Sequence, residues 1–394
     1  MPLLIDILLT AAAIATLLAS VVVFVQVLAA LCLADGKHPG GSGERRPLAI
    51  VVPAHDEAAV IAASLATLVP ELSAADRLLV VADNCSDSTA ALAAAAGAQV
   101  IERTHATLRG KGFALDFAIQ YLAAQPPAVV IILDADCQAA VGSIDTLARV
   151  CIATDQPVQG LYLMRSPPAA SPLMRMAEFA WIFKGRVRAL GMHRLGLPCR
   201  LMGSGMAFPW HRIKAAQLAT TNIVEDLQLG VELASAGTFT RFCPEALITS
   251  EFPVSREGSS SQRRRWEHGH LSVIVREAPA LFWAGIKARS AGMIALAFDV
   301  AVPPLALLLL QLLAACVLGI VLFAVTGLQA PVDLATLGLL LLALSVFLSW
   351  NRYGRGVVSL GSMALAPFYA LSKLPLYLKF LFAREQRWVR SKRD

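Results

Sequence analysis

The stretch Val130-Ile-Ile-Leu-Asp-Ala-Asp136 places four apolar residues directly before two carboxylates that stand one residue apart. A short, mostly β-branched apolar run is typical of a strand buried inside an α/β sheet. In such sheets, ligands bind at the carboxyl ends of the strands. The stretch therefore predicts a central strand over 128–133 that delivers Asp134 and Asp136 to a binding site.

The residues before this strand alternate β-branched runs with Ala-rich stretches, which predicts a parallel, doubly wound α/β sheet of Rossmann type, covered on both faces. Strands are predicted at Leu48–Val52, Arg77–Val81 and Gln99–Ile101, and helices at Glu57–Leu72, Ser88–Ala96 and Gly112–Ala124. Polar segments follow the first two strands directly, at residues 53–57 and 83–87. They are predicted to meet Asp134 and Asp136 at one edge of the sheet.

The ends of the chain are far more apolar than the middle. Overall, 57% of residues are hydrophobic and 16% are charged. Ile7–Leu33, Pro303–Val325 and Leu334–Trp350 are each long enough to cross about 30 Å of hydrocarbon as a helix. A cleavable signal peptide is the rival interpretation of the first run, but no basic residue precedes it. Val357–Phe382 is broken by prolines, and we predict an interfacial or re-entrant arrangement there.

Basic residues follow the first apolar run (Lys37, Arg45, Arg46), return at Asn351–Arg355 and end the chain over 384–393. By the positive-inside rule they place the middle of the chain and its C-terminus in the cytoplasm, as part of an integral inner-membrane protein. The net charge of +6 then indicates anionic lipid as the partner rather than nucleic acid. The seven scattered cysteines indicate neither a disulfide framework nor a structural zinc site.

Four regions follow from this pattern. Gly40–Gly43 is predicted to be a flexible joint behind the first apolar run. The predicted regions are a membrane anchor over 1–36, a cytoplasmic domain over 44–260, interfacial helices over 261–290, and membrane and interfacial helices over 291–394.

The two acidic side chains after the central strand lie among other acids, and clustered anions repel unless a cation separates them. Asp at a strand end is often only a cap. However, carboxylate oxygens at this density suit Mg²⁺ or Mn²⁺, held by one or two carboxylates together with substrate phosphates. Asp134 and Asp136 therefore predict a site for a metal-bound diphosphate.

Six motifs follow one another along the chain: Pro53-Ala-His-Asp-Glu57, Asp83-Asn-Cys-Ser-Asp-Ser88, Arg109-Gly-Lys-Gly112, Asp134-Ala-Asp136, Glu225-Asp226 and Gln262-Arg-Arg-Arg-Trp266. Their order and approximate spacing resemble those of the membrane-embedded family 2 glycosyltransferases, which include cellulose synthase, hyaluronan synthase, the chitin-oligosaccharide synthases and ceramide glucosyltransferase. The resemblance covers the middle segment and its flanking helices. The resemblance implies a GT-A fold for the cytoplasmic domain.

The resemblance also implies a donor site. The loop that contains Pro53 and Glu57, together with Asp83, would hold the uracil and ribose of a UDP-sugar. Lys111 would lie near the diphosphate, Asp136 would bind the metal directly, and Asp134 would lie nearer the ribose. Gln262 and Arg265 would face the diphosphate.

For the acceptor, the resemblance implies that Asp226 is the catalytic base, with Glu225 beside it. Trp266 would form a stacking platform for the acceptor sugar. The loop Gly203-Ser204-Gly205 is similar to the family's small-residue loop near the acceptor, although an ordinary tight turn explains it equally well. Glu225 and Asp226 could also be only a helix start with acids in its first turn.

The leading hypothesis is an inverting, metal-dependent hexosyl- or N-acetylhexosaminyltransferase that takes a UDP-sugar and acts on a glycan or lipid-linked acceptor. The alternative class is a non-catalytic membrane sensor of nucleotide sugars or an assembly partner. Within the enzyme hypothesis, a processive polysaccharide synthase is the alternative. Three predicted spans give little material for a polymer channel unless protomers associate as a homo-oligomer.

Overall fold

The computed structural model describes residues 2–34, 45–253 and 256–382 of the chain. The predicted joint Gly40–Gly43 and the predicted basic tail over 384–393 lie outside these residues. The described chain combines a central sheet covered by helices with long apolar helices from both ends of the sequence.

The sheet has eight strands in the order β3-β2-β1-β4-β7-β6-β8-β5. The strands are β1 (Leu48–Ala54), β2 (Arg77–Asp83), β3 (Gln99–Arg103), β4 (Val129–Ile132), β5 (Gln138–Ala139), β6 (Val158–Arg165), β7 (Met206–Pro209) and β8 (Arg241–Glu251). The four predicted strands are confirmed as β1 to β4, which are parallel to one another. The expected wholly parallel sheet is wrong, because β7 runs antiparallel to both β4 and β6.

Helices cover both faces of the sheet, as the alternating sequence predicted. In β1, Leu48, Ile50 and Val52 belong to one buried cluster, while Ala49 and Val51 belong to another. Successive strand residues point to opposite faces, so each face needs its own cover. The first face packs against α2 (Ile61–Leu68) and α5 (Ser143–Thr154), and the second against α4 (Lys111–Leu122). The predicted helix over 88–96 is α3 (Thr89–Ala95).

The second half of the chain adds further helices to those that cover the sheet. These are α6 (Pro172–Ile182), α7 (Ala189–Arg194), α8 (Trp210–Ala215), α9 (Glu225–Ser235), α10 (Arg256–Lys287) and α11 (Ala291–Ala301). A π-helical turn, Phe183–Arg188, joins α6 to α7. Such turns widen a helix locally and occur frequently at functional sites.

Three helices in the described part of the chain are long and apolar enough to cross a membrane: α1 (Pro2–Cys32), α12 (Leu305–Thr326) and α13 (Ala330–Ser349). They coincide with the three predicted spans to within roughly one helical turn. α1 packs against both of the others. The next segment forms three short helices, α14 (Leu360–Met363), α15 (Ala366–Ser372) and α16 (Leu374–Phe382), each well short of the roughly 20 residues needed for a span.

A buried ionic cluster joins the apolar helices to the sheet domain. Asp299 of α11 accepts hydrogen bonds from Gln26 of α1 and from Arg188, and it pairs with Arg200, each at 2.7 Å. All four side chains are at least nine-tenths buried. Burial alone would raise the pKa of Asp299, but the attraction of Arg200 and Arg188 outweighs it, so the pKa is lowered. The carboxylate is thus the anion that balances two guanidinium groups.

Asp299→Asn should destabilise the protein by about 3–5 kcal/mol, because removing one partner leaves buried charge without compensation. The midpoint of thermal unfolding should fall by several degrees. Asp116→Asn is the matched control, since Asp116 is partly exposed and, within the part of the chain that the structure describes, its carboxylate accepts a hydrogen bond only from Gln120. Equal midpoints for the two variants would contradict the role assigned to Asp299.

Candidate active site

The predicted site residues converge on one cleft of about 210 Å³ at the carboxyl ends of β1, β2 and β4. Because these neighbouring strands are parallel, the residues that follow them meet at the same edge of the sheet. The cleft is closed by the start of α9 and by α10. All of the predicted site residues except Ser204 and Gly205 line this cleft. They are Pro53, Glu57, Asp83, Lys111, Asp134, Asp136, Gly203, Glu225, Asp226, Gln262, Arg265 and Trp266.

Asp83 ends β2 at the floor of the cleft, and its carboxylate is held in place. Its Oδ1 accepts hydrogen bonds from Arg103 at 2.6 Å and from Asn84 at 2.9 Å. The imidazole Nδ1 of His55 lies 2.6 Å from the Asp83 carbonyl oxygen. Arg103 was not predicted, because the strand that carries it was expected to end at Ile101. A fixed, nearly buried carboxylate is suited to bind hydroxyl or amide donors of a ligand.

Lys111, at the start of α4, contacts the acids of the cleft. Its Nζ donates to Asp134 Oδ1 and to the Gly203 carbonyl oxygen, each at 2.5 Å, and lies 3.8 Å from Glu225. Burial works to lower the pKa of Lys111, but attraction to Asp134, Glu225 and Asp226 outweighs it and raises the pKa. This side chain is therefore a permanent cation among the acids of the cleft.

Glu225 and Asp226 occupy the first turn of α9, with their carboxyl groups in the cleft. Burial raises the pKa of Glu225 to about 7, although Lys111 opposes the change. Burial likewise raises the pKa of Asp226, again against the attraction of Lys111. A carboxylate whose pKa is raised toward neutrality is a better proton acceptor than an ordinary surface Asp.

Asp134, Asp136 and Cys137 form a group whose ligand atoms lie within 4.8 Å of one another. Burial raises the pKa of the Cys137 thiol well above its ordinary value, and the two Asp carboxylates add to the effect. The sulfur therefore stays protonated, which leaves two carboxylates as the available donors. A pair of hard oxygen ligands fits Mg²⁺ or Mn²⁺ and does not fit a thiolate metal.

The predicted acceptor loop divides into residues with different positions. Gly203 lines the cleft with φ of +91°, and a Cβ built there would lie 3.2 Å from Asp226 Oδ2. Ser204 is fully buried, and its hydroxyl accepts a hydrogen bond from the Asp134 backbone N–H at 3.1 Å. Gly205 lies against Ile248. Gly203 therefore lines the cleft, whereas Ser204 and Gly205 are buried behind it, and a position of this loop near the acceptor stays a prediction.

Trp266 lies in the wall of the cleft and stacks at a tilt on Trp181, with ring centroids 5.0 Å apart. The indole N–H of Trp181 donates to the Tyr162 carbonyl oxygen, which fixes its ring. Gln262 is buried beside Trp266, and Arg265 also lines the cleft. Two indole rings side by side give a broad apolar surface of the kind that binds pyranose rings.

Among the residues of the cleft that were not predicted from the sequence, three have basic side chains: Lys184, Arg200 and His270. Lys184 lies in the π-helical turn after α6, and Arg200 extends from the buried cluster around Asp299. Burial lowers the pKa of His270 well below its usual value, and the nearby Lys184 and Arg200 add to this. His270 is therefore neutral. None of the three stands in a recognisable motif, so only the fold reveals their place.

The sequence profile described as "Glycosyltransferase like family 2" matches residues 45–269. The match covers more than half of the chain, so the chain belongs to this family. The described structure is accordingly a GT-A-like domain with a mixed sheet, flanked by apolar helices. The membership of glycosyltransferase family 2 that the motifs predicted is thereby confirmed. No curated protein matches the chain significantly.

The chain is similar to several solved structures. The mannosyltransferase PcManGT from Pyrobaculum calidifontis, in complex with GDP-Man and Mn²⁺, is 17% identical with a TM-score of 0.53, and the match covers 98% of this chain and 100% of that chain. Glucosyl-3-phosphoglycerate synthase from Mycobacterium tuberculosis, in complex with Mn²⁺, UDP and phosphoglyceric acid, is 20% identical with a TM-score of 0.38, covering 58% of this chain and 78% of its own. The first likeness shows a shared fold.

Proposed function

We propose that the protein transfers a hexosyl or N-acetylhexosaminyl group, with inversion, from a UDP-sugar to a hydroxyl of a membrane-face acceptor. The observation that supports this most strongly is the arrangement of acids in one cleft. Asp226 lines the same cleft as Trp266, the proposed acceptor platform, while Asp134 and Asp136 follow the end of β4. Two acidic groups with separate tasks are what single-step inversion requires: one to remove a proton, the other to hold the departing diphosphate.

Asp226 is the proposed catalytic base. Its carboxylate would accept the proton of the acceptor hydroxyl as that oxygen attacks the anomeric carbon. Gly203 supports this role because its missing side chain leaves room for Oδ2 of Asp226, and its positive φ suits glycine. Burial raises the pKa of Asp226, and the neighbouring Lys111 opposes this rise. Glu225 is the proposed neighbour of the base, and its charge acts on the carboxylate of Asp226.

The donor site is proposed from other residues of the same cleft. Pro53, Glu57 and Asp83 would surround the nucleoside, and Gln262 and Arg265 would bind the diphosphate. Asp134 and Asp136 would hold Mg²⁺ or Mn²⁺, which supplies positive charge for the leaving diphosphate. The carboxylate pair supports this assignment, and the mannosyltransferase that shares this fold was solved in complex with Mn²⁺.

We propose that the catalytic domain lies on the cytoplasmic side of the inner membrane, with the three apolar helices in the bilayer. The distribution of Lys and Arg along the sequence supports this orientation. Lys373, between α15 and α16, forms an ion pair with Glu267 of α10, which keeps this C-terminal segment beside the catalytic domain. The short helices α14 to α16 are then interfacial.

The direct test uses purified protein in nanodiscs made of bacterial polar lipids, with Mn²⁺ and a panel of UDP-glucose, UDP-galactose and UDP-N-acetylglucosamine. Release of UDP is measured with and without chelator. We expect turnover of at least one donor, lost when the metal is removed. Metal-dependent binding of donors without any turnover would favour the sensor alternative instead.

The pH dependence of transfer offers a further prediction. The base must be ionised, so the rate should rise with pH as Asp226 loses its proton. Because burial raises the pKa of Asp226, the acid limb of kcat against pH should lie above the ordinary range of an Asp, about 4. Glu225 titrates nearby, so the limb reports the pair of carboxyl groups. An acid limb at about pH 4 would contradict the assignment.

A further inference from the structure

A second cavity, of about 420 Å³, opens beside the catalytic cleft. We call it the apolar cavity. The two share a wall, formed by Trp181, Lys184, Gln262, Trp266 and His270, which line both spaces. Its volume lies within the range of small-molecule binding sites. A ligand could therefore extend from the cleft into the apolar cavity past the two stacked tryptophans.

The far end of the apolar cavity lies among the helices that are apolar enough to cross a membrane. Leu309 of α12 and Leu342 of α13 line it, together with Met363 of α14 and Tyr369 of α15. The outer surface of the short helices is also apolar, with Phe368 exposed to 68%. Such helices lie in the membrane interface, with their apolar residues among lipid tails. The cavity thus leads from the catalytic cleft toward lipid.

The near end of the apolar cavity is polar. Lys184 lies with its ammonium 5.4 Å from the centre of the Trp181 ring. Burial lowers the pKa of Lys184 to about 8, and the neighbouring Arg200 adds to the effect. Farther along the wall, Glu267 and Lys373 neutralise each other as an ion pair. The lining therefore changes from charged at the cleft to hydrocarbon at the membrane helices, which matches an amphiphile.

We infer that the acceptor is a membrane lipid that carries a hydroxyl in its head group. The head group occupies the cleft at Asp226 and Trp266, and a hydrocarbon chain fills the apolar cavity between α12, α13 and the short helices. This inference rests on the proposed function and names its acceptor class. A glycan chain does not fit the same space, because its hydroxyls would lose water without gaining partners.

The reaction balances without any further reactant. The lipid oxygen forms a bond to the anomeric carbon, and the bond between that carbon and the diphosphate oxygen breaks. The electron pair leaves with UDP, and the hydroxyl proton moves to Asp226. The product is a β-linked glycolipid when the donor is α-linked.

A bulky side chain in the apolar cavity tests the inference. Ala343 of α13 lines the cavity, so Ala343→Trp should fill part of the space meant for the chain. Ala324 of α12 is exposed and lies outside the lining, so Ala324→Trp is a matched control. Met363→Trp fills the cavity from a different helix and serves if Ala343→Trp does not fold.

The experiment follows UDP-sugar labelled in its sugar, with the full chain in nanodiscs of bacterial polar lipids. Label is counted in the chloroform–methanol phase, and UDP affinity is measured in parallel. We expect organic-phase label with the parent and Ala324→Trp, and at least a tenfold loss with Ala343→Trp and Met363→Trp at unchanged UDP affinity. Nanodiscs of dioleoylphosphatidylcholine, whose head group has no hydroxyl, should give no labelled lipid.

Two outcomes overturn the lipid acceptor while the proposed function stands. One is metal-dependent donor turnover with no label in the organic phase. The other is equal labelling by Ala343→Trp, Met363→Trp and Ala324→Trp. Absence of metal-dependent UDP release, whether or not the donor binds, would instead remove the proposed function, and the lipid acceptor with it.

Discussion

Asp226→Asn should lower sugar transfer by about 10²- to 10⁴-fold, the contribution typical of a general base. The amide keeps the shape of the side chain but cannot accept the hydroxyl proton. Affinity for UDP should stay near that of the parent, because Asp226 is assigned to the acceptor side of the cleft. Initial rates and UDP titrations on the same preparation would measure both quantities.

Asp116→Asn provides the control for this variant, since it makes the same chemical change at the surface of α4. It should transfer sugar at the parent rate. If Asp226→Asn also transfers at the parent rate, the base lies elsewhere in the cleft. If it loses UDP affinity as well as transfer, Asp226 belongs to the donor site and the division of labour is wrong.

Asp136→Ala should abolish the metal dependence of donor binding. Loss of an outer partner of a metal ligand commonly costs 10- to 100-fold in metal affinity or activity, so loss of the ligand itself should weaken UDP binding by at least about 100-fold. Isothermal titration of UDP with Mn²⁺, repeated with chelator, measures this effect. The parent should lose affinity with chelator, whereas Asp136→Ala should be weak under both conditions.

Asp116→Ala is the matched control for that titration and should bind UDP as the parent does. If chelator leaves the UDP affinity of the parent unchanged, donor binding does not depend on a metal and the proposed metal site is wrong. Asp136→Ala with full, metal-dependent affinity would show that other oxygens hold the ion.

Much of the cleft could be predicted from the sequence because its residues directly follow strands. Asp83, Asp134 and Asp136 each end a β-branched run, and parallel strands bring such ends to one edge. Their meeting therefore needs only the order of the strands. Trp266 and Asp226 lie far from that edge in sequence, and only their motifs indicated that they belong to the same site.

The remaining features depend on tertiary packing that leaves no local pattern. The direction of β7 follows from how the chain returns to the sheet. Its four apolar residues carry no pattern that indicates whether the strand runs parallel or antiparallel to its neighbours. The burial of Ser204 behind Asp134 was likewise not indicated by its motif. Lys184 and Arg200 reach the cleft from a π-helical turn and from the cluster around Asp299, two features that the hydrophobic period of the sequence does not reveal.

The anomeric configuration of the product tests the central claim most directly. The purified protein in bacterial lipid nanodiscs would be given an α-linked UDP-sugar and Mn²⁺, and the glycoside formed would be isolated and its anomeric proton coupling measured by NMR. Attack by an acceptor hydroxyl activated by Asp226, opposite the leaving diphosphate, predicts a β-linked product. An α-linked product would contradict single-step inversion and the role proposed for Asp226.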